Sequence, residues 1–334
     1  MADFAHDYTD EQLKQLEQRI TDTYRSVYNE LSAKAKDYFE KFKERDEAQQ
    51  ALLNEGLITK QEYAQWRLAQ MGRGKRFEAM RDEAAERLTH ANEIAVDYIN
   101  GRTPDIFAVN RNHMAYGLEK EYGDISFTLM DEYTAKKLIT EQPDLLPPPK
   151  IDIPKDLRWN RKLISAELTS GILQGESIKE LADRFQSVTD ANRVSAIRNA
   201  RTSFTAAENA GRQDSFNAAA KMGIKVTKRW IATKDDRTRH SHQKLDGQTV
   251  PYNEPFVSVL GSEMMYPGDR SNAVPEDIYN CRCSMRTVEG AGIEAEPRMM
   301  RVFNPATGKT ELVKEMTYDE WAEWKKALAI LQKG

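Results

Sequence analysis

The sequence predicts a predominantly α-helical α+β protein, with long N-terminal helices, then a smaller α+β domain, then a short hairpin-plus-helix tail. Three observations carry this reading. Residues 1–100 hold long apolar stripes at helical spacing. Pro143, Pro147, Pro148, Pro149 and Pro154 crowd one segment that suits neither a helix interior nor a central strand, because proline fixes φ and lacks an N–H donor. After Gly223 the helical period gives way to short apolar runs separated by turn residues.

The first helix is expected to run through about residue 50. Its apolar positions are Leu13, Leu16, Ile20, Tyr24, Val27, Leu31, Ala35, Tyr38 and Phe42, an eleven-residue repeat that keeps the stripe nearly straight. Such a stripe must be buried, against later helices or a partner chain; Leu13, Leu16, Ile20, Tyr24, Val27 and Leu31 are its partner-binding candidates. A stop at Asn54-Glu55-Gly56 precedes Thr59-Lys60-Gln61-Glu62, the form of a capping box. A second helical pattern follows, interrupted at Gly72-Arg73-Gly74 and ending near Asn100-Gly101, with shorter pieces at about 104–120 and 131–140. Beyond the prolines, helices are expected at 156–175, 177–187 and 190–221, with Ser177 as the expected N-cap. Strands are expected around Val226–Ile231 and from Val250 to Phe256, with turns at Asp246-Gly247 and Pro267-Gly268-Asp269. The tail shows a hairpin signal (Arg301-Val302-Phe303, Pro305 to Gly308, Glu311-Leu312-Val313) and a helix opened by Thr317-Tyr318-Asp319-Glu320. The domain reading is therefore a helical arm over 1–145, a proline-rich linker over 146–156, an α+β domain over 157–290 and a tail over 291–334.

Composition narrows the class. The 334 residues carry 49 basic and 53 acidic side chains, and 31% are charged. No apolar run approaches the roughly 18 residues of a membrane span. The N-terminus has neither the basic start nor the apolar core of a secretory signal, and two cysteines suit a reducing compartment rather than a disulfide scaffold. Charge is uneven: residues 1–156 hold 22 basic and 30 acidic side chains, whereas 198–239 hold ten basic and four acidic. That basic stretch suits a solvated helix surface, or contact with phosphate or an acidic protein face.

Two of the five histidines, His240 and His242, and both cysteines, Cys281 and Cys283, fall close together in the α+β half. Zinc takes thiolate and imidazole ligands in tetrahedral sets. His242, Cys281 and Cys283 would supply three, with Asp235, Asp246 or His240 as the fourth; the competing reading is two semi-buried thiols and a histidine that organises loops. The sequence lacks H-E-x-x-H and G-x-x-x-x-G-K-[ST], and His242 is followed by Gln243 and Lys244 rather than a deaminase Glu. A non-enzymatic role is expected. The rival is a metal-dependent nuclease or Cys–His hydrolase.

At these strings the chain resembles the phage Mu F-like family of minor head proteins. The residues that carry the resemblance are Ala200-Arg201-Thr202, Asn209-Ala210-Gly211-Arg212, Trp230, the block from Asp235 to Gly247, Pro267-Gly268-Asp269, and Asn280-Cys281-Arg282-Cys283. The block contains Arg237, Arg239, His242 and Asp246, and Ser203 departs from the acidic residue often found after Arg-Thr. Arg201, Asn209, Arg212, Asp235, Arg237, Arg239, Asp246, Gly247 and Asp269 are the structural motif residues that the resemblance marks. It implies a low-copy virion component located near the portal inside the capsid, acting in procapsid assembly and in DNA packaging or ejection. Its implied partners are the portal protein and the major capsid or scaffolding protein. Only about 44 residues follow the shared region, too few for an appended toxin domain.

Overall fold

A computed structural model of the chain describes residues 3–41, 43–72, 74–123, 125–288, 299–304, 309–314, 316 and 318–331. Helix dominates, in the order α1 (Phe4–Glu40), α2 (Lys43–Asn54), α3 (Lys60–Arg67), a π-helical turn (Leu68–Gly72), α4 (Lys75–Tyr122), α5 (Glu132–Glu141), α6 (Ile153–Leu173) and α7 (Ile178–Lys221). Short elements follow: β1 (Thr227–Ile231), α8 (His240–Leu245), β2 (Thr249–Pro251), β3 (Phe256–Val257), β4 (Glu263–Met264), α9 (Pro275–Ile278) and β5 (Ser284–Thr287). The tail is the hairpin β6 (Met299–Asn304) and β7 (Lys309–Lys314), then α10 (Tyr318–Leu331). The fold is α+β and mostly helical, as the periodicities indicated.

Several boundaries differ from expectation for identifiable reasons. The expected 50-residue helix is two, α1 and α2, with Phe42 outside the described residues. Helix α4 continues through Gly101 and Pro104, where the sequence suggested a stop. A single proline removes one i→i−4 bond, and Thr103 Oγ1 donates to the Ile99 carbonyl in the same turn. Likewise α7 is one helix where two were expected. The Val250–Phe256 run is split between β2 and β3, which belong to different sheets. The capping box at Thr59 forms as read, with Glu62 N donating to Thr59 Oγ1 and Thr59 N donating to Glu62 Oε2. The turn residues 305–308 and Thr317 lie outside the described residues.

The packing divides into two units, each discontinuous in sequence: residues 1–14, 99–149 and 198–334, and residues 15–98 and 150–197. One crossing falls at Pro149, in the proline-rich segment; the others fall inside α1, α4 and α7. The second of these units is all helical. Its part of the α1 stripe packs antiparallel to α4: Tyr38 faces Phe77, Lys34 pairs with Glu83, Arg87 with Glu30, and the Tyr24 hydroxyl donates to Asn92. Leu16, Ile20, Tyr24 and Leu31 are buried there, and Val27 is half-buried. These candidates for partner binding are thus covered by the chain's own helices, so the stripe is not an open face; Leu13, in the other unit, is half-buried. A polar ladder fixes the helix register. Asn92 donates to Asp156 (2.8 Å) and Asn192 (2.9 Å), Asn192 to Asn160 (3.0 Å), and Asn160 to Thr89 (3.1 Å).

The first unit places a three-stranded antiparallel sheet, ordered β2-β1-β5, beside the C-terminal half of α7. Alternate β1 residues Lys228 and Trp230 are fully buried. The Lys228 ammonium donates to Gln213 Oε1 on α7 and to the Met265 carbonyl, and burial, partly offset by Asp269, pushes its pKa down to about 7. On the other side of α7, Gly211 lets α4 approach closely. A Cβ at this position would lie 2.3 Å from the Phe107 carbonyl oxygen. Arg212, 1% exposed, donates to Asp3 (2.7 Å), to Asn110 Oδ1 and to the Met285 carbonyl (2.9 Å), and pairs with the buried Glu208 (3.0 Å). Glu208 also receives His6 Nδ1, at 3.0 and 3.1 Å from its two oxygens.

Gly211→Ala should destabilise by about 1–3 kcal/mol through overpacking against α4. Gly117→Ala, at an exposed helical position with nothing within 4 Å of the new Cβ, should be neutral or stabilising by up to ~1 kcal/mol; urea unfolding of both variants compares them. The Glu208 hydrogen bond and charge raise the His6 pKa from 6.5 to about 9. A raised folded-state pKa gives stability that is fully present below pH 6.5 and lost as pH rises through about 9. Thermal melts across that window should show a larger fall in Tm for the natural chain than for His6→Gln.

Candidate functional site

The candidate site gathers where the loops after β1 and before β5 meet α7. Local sequence explains each arm. Asn280 has φ +56°, a left-handed conformation that asparagine tolerates better than most residues, and it turns the chain from α9 into the Cys281–Cys283 segment. Three successive carbonyls of that segment each accept a side-chain hydrogen bond. Thr205 Oγ1 donates to the Cys281 carbonyl (2.6 Å), Thr233 Oγ1 to that of Arg282 (2.6 Å) and Asn209 Nδ2 to that of Cys283 (3.1 Å). Backbone groups of irregular segments need such partners, since no sheet ladder supplies them.

The other motif residues act similarly. Asp235 accepts both guanidinium nitrogens of Arg282 (2.5 and 2.8 Å), which hold its carboxyl far below the usual carboxylate range. Arg237 donates its backbone N–H to Asp235 and pairs with it at 3.6 Å. Arg239 donates to the carbonyls of Glu276 and Tyr279. Asp246 accepts the Ala232 N–H (2.9 Å), and Gly247, at φ +80°, donates its N–H to the Trp230 carbonyl. Asp269 closes its turn by accepting from Met265 N, Ser271 N and Ser271 Oγ. Gly268, at φ +89°, brings that turn so close to α7 that a Cβ would sit 3.0 Å from Ala206. Arg201 is half-buried on α7.

At the centre lie His242, Cys281 and Cys283, each 2% exposed. Their ligand-type atoms all lie within 4.8 Å of one another. His242 Nδ1 is 3.2 Å from Cys283 Sγ and 3.6 Å from Cys281 Sγ, while Nε2 donates to the Asp277 carbonyl (2.9 Å). The indole of Trp230 packs edge-on against the imidazole, centroids 5.5 Å apart. Interaction with Cys281 moves the Cys283 thiol down, against the cost of burial; Cys281, hydrogen-bonded to Cys283 and buried, moves up.

The expected fourth ligands are elsewhere. Asp235 is engaged by Arg282, Asp246 caps the Ala232 N–H, and His240 is exposed; among the described residues only His242, Cys281 and Cys283 form the cluster. Sequence reasoning missed Asp277, whose buried carboxylate accepts hydroxyls from Ser241 (2.7 Å), Ser258 (2.6 Å) and Ser262 (2.7 Å). Burial opposes its charge, yet these three hydroxyls and nearby His242 hold it below the usual carboxylate range. No short-range signal links these serines to Asp277, because they lie 15 to 36 residues from it.

The basic surplus of 198–239 is largely engaged within the fold. Arg212 and Lys228 are buried, Arg239 binds backbone carbonyls, Arg198 stacks on Tyr279, and Lys234 faces Asp246. Lys221, Lys225, Lys234 and Arg237 remain exposed.

Asp277→Ala would leave three buried hydroxyls without their acceptor and should cost at least about 3 kcal/mol in urea unfolding. Asp277→Asn keeps the volume and an acceptor oxygen, so it should cost distinctly less.

Comparison with known proteins gives the geometry its context. The model of the family described as Phage Mu protein F like protein matches residues 162–286. The chain is 26% identical over 325 residues to the minor head protein GP7 of Bacillus phage SPP1, covering 96% of each. It is also 31% identical over 159 residues to the NAD(+)--arginine ADP-ribosyltransferase EFV of Enterococcus faecalis, which covers 47% of this chain and 30% of that one. No solved structure matches. Residues 162–286 are a Phage Mu protein F-like domain, within a chain similar along almost its whole length to a phage minor head protein.

Proposed function

We propose that this chain is a minor head protein of a tailed phage, a structural component that joins the head in few copies at the portal during procapsid assembly. The observation that carries the reading is the similarity to GP7 over 96% of both chains, so that the helical segments outside residues 162–286 share in it as well as the family domain. The site agrees with a structural role. Its motif residues are hydrogen-bonded to the chain's own backbone and carboxylates, and a Cys–His pair only 2% exposed offers no access to a polymer substrate. Among the described residues no helix is long and apolar enough to cross a membrane. Packaged DNA would be met by the exposed cations of 198–239, Lys221, Lys225, Lys234 and Arg237, and any such binding should weaken steeply with salt.

The test is co-expression of the full chain with the portal protein of the same phage, followed by size-exclusion chromatography with mass determination. The expected result is a stable complex with fewer copies of this chain than of portal subunits. A chain that elutes alone at every ratio would overturn the portal assignment.

A further inference from the structure

The cluster at the centre of the α+β half has a geometry that a set of three packed side chains does not require. One ring nitrogen, His242 Nδ1, faces both sulfurs, at 3.2 and 3.6 Å. The other, Nε2, faces the Asp277 carbonyl at 2.9 Å. A carbonyl only accepts, so Nε2 carries a proton, and the lone pair of the neutral ring lies on Nδ1, toward the sulfurs. A tetrahedral zinc ion with Zn–S near 2.3 Å and Zn–N near 2.0–2.1 Å needs N···S separations of about 3.5 Å. The observed pair brackets that value.

The surroundings match what a bound ion needs from its protein. A ligating histidine ordinarily donates its second ring N–H to a carbonyl or carboxylate, which fixes its tautomer and orientation. Here Asp277 offers both, its carbonyl at 2.9 Å and its carboxylate at 3.6 Å, and that carboxylate is itself held by three serine hydroxyls. The two sulfurs are fixed by the hydrogen bonds to the Cys281 and Cys283 carbonyls from α7.

We propose that His242 Nδ1, Cys281 Sγ and Cys283 Sγ are three ligands of one zinc ion, with water at the fourth position, and that the ion fastens α8 to the segment leading into β5. Binding converts two thiols to thiolates and releases two protons to solvent; nothing is oxidised or reduced. The dication then neutralises two buried anions that would otherwise be costly. The inference does not rest on the portal assignment, and either can fail without the other.

The experiment uses the untagged full chain purified under reducing conditions without chelator, with zinc measured by plasma mass spectrometry. About one zinc per chain is expected. Cys281→Ser with Cys283→Ser should reduce it to background, whereas His90→Asn, which removes a histidine that is not part of the cluster, should not. Where the double variant does not fold, the natural chain decides. After chelator treatment it should take up Co²⁺ with a thiolate-to-cobalt charge-transfer band, and Tm should fall on metal removal and recover on adding zinc. Three results would overturn the proposal: no metal retained or taken up, a Cys281–Cys283 disulfide in the native chain by intact mass, or zinc content unaffected by the double substitution.

Discussion

The guanidinium of Arg212 is the interaction on which the α+β half depends. It is 1% exposed and always charged, so it must be fully paired in the folded chain. Its partners come from four places: Asp3 before α1, Asn110 on α4, Glu208 one turn earlier on α7, and the Met285 carbonyl of β5. Removing Glu208 would break a buried ion pair, a penalty of about 3–5 kcal/mol, larger than that of a surface contact. The neighbouring Gly211 makes this possible, because α4 can come near enough to present Asn110 only where α7 lacks a side chain. Two adjacent residues of the family motif therefore set the meeting of helices, N-terminal segment and sheet.

The same economy of design extends through residues 235–283. A three-stranded sheet of short strands leaves much irregular backbone whose carbonyls have no ladder partner. Polar side chains supply what the ladder does not: Thr205, Thr233 and Asn209 on three consecutive carbonyls, Arg239 on two more, and Asp246 and Asp269 on N–H groups. Charged residues that read in sequence as a patch for an outside partner are, for the most part, internal ties. Their cost is desolvation, which is why each is satisfied by a specific geometry rather than by proximity alone.

What was legible in the sequence was local. The α1 stripe, the capping box at Thr59 and the switch to strands after Gly223 all follow from spacing and residue type, and the structure has them. What was not legible was long-range. The stripe announced that it needed covering, but only the fold shows that α4 covers it through Tyr24–Asn92 and Tyr38–Phe77. Asn100-Gly101 looked like a stop because a glycine's cost to a helix is visible in sequence, while the packing of Ile106 and Phe107 farther along the continuous α4 is not. His242, Cys281 and Cys283 stood out by rarity; Asp277, which orients the histidine, did not, since an aspartate among many acidic residues gives no sign of being buried.

These distinctions bear on what the relatives imply. One is a minor head protein and another an ADP-ribosyltransferase, so the name of a relative alone does not fix what this chain does. The motif residues resolve the matter physically. Arg212, Asn209, Asp235, Arg239 and Asp269 hold backbone to backbone, so a shared motif of this kind transmits a scaffold, and function rides on whatever else the chain carries. The transferase match leaves most of that protein without a counterpart here, whereas the minor head protein is matched over 96% of its length. Extent of alignment, rather than percentage identity, is therefore the better guide to the comparison, because a fastened scaffold can be borrowed alone.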